Sequence, residues 1–125
     1  MKVLIVDDDA IVLESCRRIL EAEEFVVHVA EDTEKARTVM ETEAVFDLIL
    51  TDIKMPGKDG FQLIRLARET CPQTAILMMT GYLIPEAIQM GSEKGADGFI
   101  AKPFTPEELL ASVHESLSAI KRRAM

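Results

Sequence analysis

The sequence predicts a single α/β domain built on an open parallel sheet. Short apolar segments alternate with amphipathic helical segments along the whole chain. Segments 48–51 and 75–80 are almost continuously apolar, as is typical of strands covered by helices on both faces. The chain has 125 residues, of which 48% are hydrophobic and 29% charged, which suits one globular domain with its own core. We therefore expect a doubly wound sheet.

Each element follows from an apolar pattern and its flanking residues. Taken in order, the strands are expected at residues 2–6, 25–30, 48–51, 75–80 and 98–101, where short apolar runs occur. The helices are expected at 10–23, 33–43, 60–70, 85–94 and 106–121, where the apolar spacing is helical. We expect one domain over residues 1–125, with 121–125 as a tail or the beginning of a linker.

Turn and capping residues support these boundaries. Asp9 is expected to be the N-cap of the first helix. Thr105-Pro106-Glu107-Glu108 combines an N-cap, a proline at the first helical position and a glutamate three residues after the cap. Gly95-Ala96-Asp97-Gly98 ends the fourth helix, and Pro56-Gly57-Lys58-Asp59-Gly60 is a turn cluster after the third strand.

Charge and cysteine content restrict the class of partner. The chain has 14 basic and 22 acidic residues, a net charge of −8, which argues against direct binding of nucleic acid or anionic membranes. We therefore expect protein partners. Cys16 and Cys71 lie in apolar helical patterns without metal-ligand spacing, so we expect buried free thiols in a reducing cytoplasm. No signal-peptide pattern and no apolar stretch of about 20 residues is present, so neither export nor membrane spanning is expected.

Two of the predicted strands end in acidic residues. The first runs into Asp7-Asp8-Asp9, and the third runs into Asp52. Because parallel strands end at the same edge of a sheet, Asp7, Asp8 and Asp52 are expected to form one anionic pocket there. Clustered carboxylates repel one another and favour a cation, and Mg²⁺ prefers such oxygen ligands. Thr80 and Lys102 follow the fourth and fifth strands, where a hydroxyl and an ammonium would reach the same ligand.

In this order, these residues resemble the receiver domain of bacterial two-component response regulators. The resemblance covers essentially the whole chain. Its motifs are Asp7-Asp8, Asp52 in Asp-Ile-Lys-Met-Pro-Gly, Thr80-Gly81, and Gly95-Ala96-Asp97-Gly98 through Lys102-Pro103-Phe104. The resemblance implies a flavodoxin-like fold of five strands and five helices with strand order 2-1-3-4-5.

The resemblance also implies a phosphoacceptor role. Asp52 would attack the phosphorus of a phosphohistidine on a sensor histidine kinase or phosphotransfer protein. Mg²⁺, with Mn²⁺ as an alternative, would be bound by Asp8, Asp52 and the backbone carbonyl of Lys54, while Asp7 would act largely through water. Such a domain is not a classical enzyme, since it catalyses only its own phosphorylation and dephosphorylation.

A conformational switch is the second implication of the resemblance. Lys102 and Thr80 would hold the phosphoryl oxygens, and Thr80 would move toward them while Phe99 turns inward. The surface formed by residues 85–94, 98–101 and 106–121 would then control an output domain, a target protein or a homodimer. Relatives more often carry tyrosine where Phe99 stands, so this chain lacks the phenolic hydroxyl.

Two further residues depart from the pattern of the family, and each leads to a prediction. Lys54 is a cation near the metal, so we expect it to pair with a carboxylate and weaken Mg²⁺ binding. Tyr82 is expected to cover the site and slow hydrolysis of the phosphoryl group. Tyr82-Leu83-Ile84 is an unusually apolar loop segment, which is typical of an output surface.

Three alternative functions fit the sequence less well. A phosphohydrolase of the haloacid dehalogenase kind needs a second aspartate two residues after the nucleophile, where Lys54 stands. A flavodoxin-like nucleotide binder needs a glycine-rich phosphate loop after the first strand, where three aspartates stand. A receiver-like scaffold that is never phosphorylated is disfavoured by the complete set of Asp7, Asp8, Asp52, Thr80 and Lys102.

Overall fold

The structure is a computed structural model that describes residues 1–43, 45–54, 60–81 and 84–124. The expectations for the turn cluster at 56–59, for Tyr82 as a cover and for Leu83 in the apolar loop lie outside these described residues. Within the described residues, no helix has both the length and the apolar character needed to span a membrane.

Ten elements alternate along the described parts of the chain and confirm the predicted fold class. They are β1 (Lys2–Val6), α1 (Ala10–Ala22), β2 (Val26–Ala30), α2 (Thr33–Thr42), β3 (Leu48–Asp52), α3 (Gly60–Thr70), β4 (Ala75–Thr80), α4 (Pro85–Lys94), β5 (Gly98–Ala101) and α5 (Pro106–Ala124). Phe25 lies outside β2 because its N–H donates to the Leu20 carbonyl at the end of α1, 3.1 Å away. Helix α5 continues beyond residue 121 because residues 122–124 include no glycine or proline to end it.

The five strands form one parallel sheet in the order β2-β1-β3-β4-β5. Side chains on its two faces pack into two separate cores. Leu4, Ile49 and Met78 face α2, α3 and α4. Ile5 and Met79 face α1 and α5. Met78 and Met79 point to opposite faces, and both are buried because helices cover the two faces, as expected for the apolar segment 75–80.

The capping residues lie where the sequence predicted. The Asp9 carboxylate accepts a hydrogen bond from the Ile11 N–H at 2.9 Å. Thr105 N–H donates to Glu108 Oε1 at 2.9 Å, and Glu108 N–H donates to Thr105 Oγ1 at 3.1 Å, which completes a capping box. Gly95 ends α4 with φ = 118°, a left-handed conformation that glycine adopts without strain. These caps orient the chain as it enters and leaves the sheet edges.

The two cysteines are free, but they differ in burial. Cys16 is a buried residue of α1, and burial raises the pKa of its thiol to about 12, with a further contribution from the nearby Asp7. Cys71 is half-buried, so the expectation that both thiols are buried was wrong for this residue. The physical reason is that Cys71 lies just after the end of α3 rather than on a face packed against the sheet.

Candidate functional site

The carboxyl ends of β1 and β3 bring three carboxylates together. Val6 pairs with Thr51, so Asp7 and Asp52 follow neighbouring positions of the sheet. One carboxylate oxygen from each of Asp7, Asp8 and Asp52 lies within 4.8 Å of the other two. Asp7 and Asp52 are buried, whereas Asp8 is exposed to solvent. The predicted anionic pocket is therefore present, with one side open.

Lys102 lies between the two buried carboxylates. Its Nζ donates to Asp7 Oδ2 at 2.5 Å and to Asp52 Oδ2 at 3.1 Å. Backbone groups complete the arrangement, since Asp9 N–H donates to Asp7 Oδ1 at 2.9 Å and Lys54 N–H donates to Asp52 Oδ1 at 3.2 Å. Each buried carboxylate thus accepts a hydrogen bond from a backbone N–H with one oxygen and from the Lys102 ammonium with the other.

Burial and pairing shift the pKa values of Asp7 and Lys102. Burial raises the pKa of the Asp7 carboxyl, and this effect outweighs the opposing hydrogen bonds from Lys102 and from the Asp9 N–H. Burial also disfavours the charged form of Lys102, but its hydrogen bond to Asp7 and the charge of Asp52 raise its pKa above the ordinary value. Lys102 is therefore a charged ammonium at neutral pH, held among more carboxylates than it can neutralise.

The chemistry of the carboxylate cluster fits a hard divalent cation. Its ligand atoms are carboxylate oxygens of Asp7, Asp8 and Asp52, with no thiolate or imidazole in the group. One carboxylate is exposed, so solvent reaches the cluster and can complete an octahedral shell. The cluster can therefore hold a metal ion such as Mg²⁺.

Thr80 and Lys102 are tied together at the neighbouring strand ends. Thr80 pairs with Ala101 in the sheet, and the Lys102 N–H donates to the Thr80 carbonyl at 2.8 Å. The Thr80 side chain is buried at this edge. The structure therefore places both residues at the edge of the sheet that carries the carboxylates.

Phe99 occupies a different surface. It pairs with Met78 within the sheet, and 45% of its surface is exposed. Phe99 is one of the residues that line a cavity of about 190 Å³, together with Ser112, Glu115 and Ser116 of α5. Phe99 is thus partly exposed on the edge strand β5 rather than packed in the core.

Sequence reasoning missed an apolar surface beside the carboxylates. Ile11 is 77% exposed in the first turn of α1. It lines a groove of about 430 Å³ together with Val12, Lys102, Pro103 and Phe104. The available signal was an isoleucine two residues after an aspartate triad, at a helix start where a polar residue would be better solvated.

Comparison with known proteins agrees with the fold. The family model described as the response regulator receiver domain matches residues 3–114. The chain belongs to this receiver family. It is 38% identical to the transcriptional regulatory protein ResD of Bacillus subtilis over 98% of the chain and 49% of that protein. It is 37% identical to the transcriptional regulatory protein CpxR of Escherichia coli K12 over 98% of the chain and 50% of that protein.

A solved structure gives the same result. A CheY-like response regulator receiver domain protein from Methanospirillum hungatei superposes with a TM-score of 0.90 at 35% identity, over 98% of this chain and 97% of that one. This receiver domain spans about half the length of the curated relatives it matches. Membership of the receiver family sets aside the haloacid dehalogenase and nucleotide-binding alternatives, because receiver domains are signalling phosphoacceptors of two-component systems.

Proposed function

We propose that this receiver domain accepts a phosphoryl group on Asp52. The observation that carries the proposal is the convergence of Asp7, Asp8 and Asp52, with the Lys102 ammonium 2.5 Å from Asp7 and 3.1 Å from Asp52. A carboxylate oxygen of Asp52 attacks the phosphorus of a phosphohistidine, the P–N bond breaks, and the donor imidazole leaves and takes up a proton. The product is an acyl phosphate on Asp52.

Four groups would hold the metal in this proposal. They are the carboxylates of Asp8 and Asp52, the backbone carbonyl of Lys54, and Asp7 acting largely through water. Bound Mg²⁺, or Mn²⁺ as an alternative, would neutralise charge on the transferring phosphoryl oxygens. The exposure of Asp8 supports this assignment, because the metal and the donor must enter from solvent.

Lys102 and Thr80 hold the product oxygens in this proposal. Lys102 already contacts Asp52, so its flexible side chain can follow the charge from the carboxylate to the new phosphoryl group. Thr80 lies at the adjacent strand end, where its hydroxyl donates to a phosphoryl oxygen after a small shift. Both contacts exist only with the phosphorylated product, so they favour the conformation that makes them.

The phosphodonor docks on the groove beside α1. The donor histidine must reach Asp52, and the exposed Ile11 lies on the same edge of the domain as Lys102. An apolar surface next to a charged site suits a sensor histidine kinase or phosphotransfer protein, whose helix would bury Ile11 while presenting its phosphohistidine.

The output surface comprises α4, β5 and α5. Ile84, Met90 and Phe99 are exposed apolar residues of this surface, at 51%, 45% and 45%. Movement of Thr80 toward the phosphoryl group would let Phe99 turn inward and change this surface. Its partner would be an output domain, a target protein or a second copy of the domain. Phosphate contacts worth a few kcal/mol are enough to reverse a two-state equilibrium.

The boundaries and the location of the domain are also proposed. We assign residues 1–125 to one receiver domain and place it in the cytoplasm, where its two free cysteines stay reduced. Direct contact with nucleic acid is not proposed for this segment, because its net charge is −8.

Acetyl phosphate labelling tests the phosphoacceptor function. We expect a mass gain of ~80 Da in the intact protein that requires both Mg²⁺ and Asp52, because one phosphoryl group is added. Asp52→Asn is the control and gains no mass. If the unsubstituted protein gains no mass and releases no phosphate over the same period, it is a scaffold and the proposal is wrong. Phosphate release without an adduct indicates rapid hydrolysis and supports the proposal.

A further inference from the structure

Gly60, the first residue of α3, packs directly against the backbone at the end of β3. Its N–H donates to the Ile53 carbonyl at 2.9 Å. A Cβ atom at Gly60 would lie 2.2 Å from the Asp52 carbonyl oxygen and 2.6 Å from Ile53 Cα. Both neighbours are backbone atoms, which cannot rotate away as a side chain would. Any larger residue at position 60 must therefore displace either α3 or the chain at residues 52 and 53.

A second group holds the same carbonyl. Thr51 is fully buried, and its Oγ1 donates to the Asp52 carbonyl oxygen at 2.8 Å. Asp52 is also paired with Met79 in the sheet. The last peptide of β3 is therefore held by the sheet, by a hydroxyl and by close contact with Gly60.

The backbone at residues 52–54 carries two parts of the proposed phosphorylation site. One is the Asp52 carboxylate, whose Oδ1 accepts the Lys54 N–H at 3.2 Å. The other is the Lys54 carbonyl, which we have proposed as a metal ligand. A rotation of the peptide between Asp52 and Ile53 would move these groups relative to each other. Mg²⁺ demands near-ideal octahedral geometry at short distances, so such a movement weakens its binding.

We propose that Gly60 is a positioning residue for the metal and phosphoacceptor site. It allows α3 to seat against the Asp52 carbonyl and so sets the relative positions of the Asp52 carboxylate and the Lys54 carbonyl. This inference rests on the proposed function, because it assumes that these groups bind Mg²⁺.

Two alanine variants separate positioning from general destabilisation. Gly60→Ala inserts a methyl group against the Asp52 backbone, whereas Gly91→Ala inserts one 2.3 Å from the Met78 Sδ, in the core beneath α4. Both variants are expected to lower the melting temperature. Only Gly60→Ala is expected to raise the Mg²⁺ Kd, by about tenfold or more, as measured by NMR titration of backbone amides. Gly91→Ala should keep the Kd within about twofold of the unsubstituted value.

Two outcomes would overturn the inference. One is an unchanged Mg²⁺ Kd in Gly60→Ala, and the other is an equal increase in both variants, which would mean that lost stability alone weakens binding. In the acetyl phosphate assay, Gly60→Ala should also be labelled more slowly than Gly91→Ala at equal Mg²⁺ concentration.

The unsubstituted protein provides a test that does not depend on whether Gly60→Ala folds. If the Gly60 hydrogen bond positions the metal ligands, metal binding must in turn favour that hydrogen bond. Saturating Mg²⁺ should therefore slow hydrogen exchange of the Gly60 amide several-fold. The Thr74 amide, which donates to the Cys71 carbonyl at 3.0 Å near the start of β4, is the control and should change far less. Equal responses of the two amides would contradict the inference.

Failure of the proposed function gives a different result. If the unsubstituted protein binds Mg²⁺ but takes no phosphoryl group and releases no phosphate, the phosphoacceptor role fails. The Mg²⁺ affinities of the two alanine variants still decide whether Gly60 positions the metal site.

Discussion

Two partly buried ion-pair clusters lie at opposite edges of the same sheet and differ in charge balance. At the edge where the strands begin, Arg68 Nη2 donates to Asp97 Oδ2 at 2.7 Å, and Asp97 Oδ2 also accepts the Ile76 N–H at 2.8 Å. Arg68 further donates to the carbonyls of Gly95 and Pro72. Among the described residues, the guanidinium is thus matched with one carboxylate and two carbonyls.

The edge where the strands end has the opposite balance. Asp7, Asp8 and Asp52 converge around the Lys102 ammonium, so the negative charge exceeds the charge of that cation. The Arg68 cluster joins α3 to the end of α4 and the start of β5, and its charges are satisfied. The Lys102 cluster remains attractive to an added cation. The comparison teaches that removing one partner of a balanced cluster should destabilise the fold, whereas the excess negative charge of an unbalanced cluster favours the binding of a cation.

Removal of Arg68 should give the largest effect on stability. Arg68→Ala leaves the nearly inaccessible Asp97 carboxylate without its cation, so we expect a loss of about 3 kcal/mol in the free energy of unfolding. Urea denaturation measures this loss. Arg68→Lys should lose less stability than Arg68→Ala, because an ammonium keeps the charge but not the forked hydrogen bonds. A loss below about 1 kcal/mol would show that the cluster is not structural.

Replacing an aspartate by asparagine should change the stability of the metal-free protein in opposite directions at the two edges of the sheet. Asp97→Asn weakens the charged hydrogen bond to Arg68 and is expected to cost about 1–2 kcal/mol. In metal-free protein, Asp8→Asn and Asp52→Asn relieve carboxylate repulsion and should raise the melting temperature by about 2–3 °C while removing metal binding. Thermal unfolding in EDTA, then with Mg²⁺, checks both signs. Lower melting temperatures at both edges would contradict the difference in charge balance.

The pH dependence of the stability of the metal-free protein should reveal the raised pKa of the Asp7 carboxyl. Burial raises the pKa of its carboxyl in the folded state, so the folded protein holds the proton more tightly than the unfolded chain. Its contribution to stability therefore falls as pH rises from the unfolded pKa through the raised folded value. Asp7→Asn removes this contribution, so the variant should gain stability relative to the unsubstituted protein as the pH rises above the ordinary carboxyl value of 3.8. Parallel stability curves for the two proteins would show that Asp7 is not perturbed.

The smallest expected effect is a difference in reactivity between the two cysteine thiols, which does not involve a change of the fold. Cys71 is half-buried, whereas burial beside Asp7 raises the pKa of the Cys16 thiol to about 12. At pH 8 a thiol reagent should modify Cys71 first and Cys16 on the order of 100-fold more slowly, because the thiolate is the reactive form. In the Cys71→Ser variant, only the slow modification of Cys16 should remain. Rapid modification of Cys16 in that variant would indicate that this edge of the domain opens readily.

Local patterns predicted most of the secondary structure. The Asp9 cap, the Thr105 and Glu108 capping box and the Gly95 helix end use contacts between residues close in the chain, so the residue types alone were sufficient. The burial of Cys71 was predicted wrongly because an apolar pattern near a helix end does not show whether another element covers it.

The sequence by itself determined that the carboxylates lie along one edge of the sheet, because parallel strands end at the same edge. Asp7 and Asp52 meet there because β1 and β3 are neighbours in the sheet. Only the tertiary structure decided which groups touch. The Arg68 pair with Asp97 joins residues 29 positions apart, and the contact of Gly60 with the Asp52 carbonyl depends on how closely α3 approaches the sheet. These distances are set by the packing of whole helices against both faces, which no local pattern specifies.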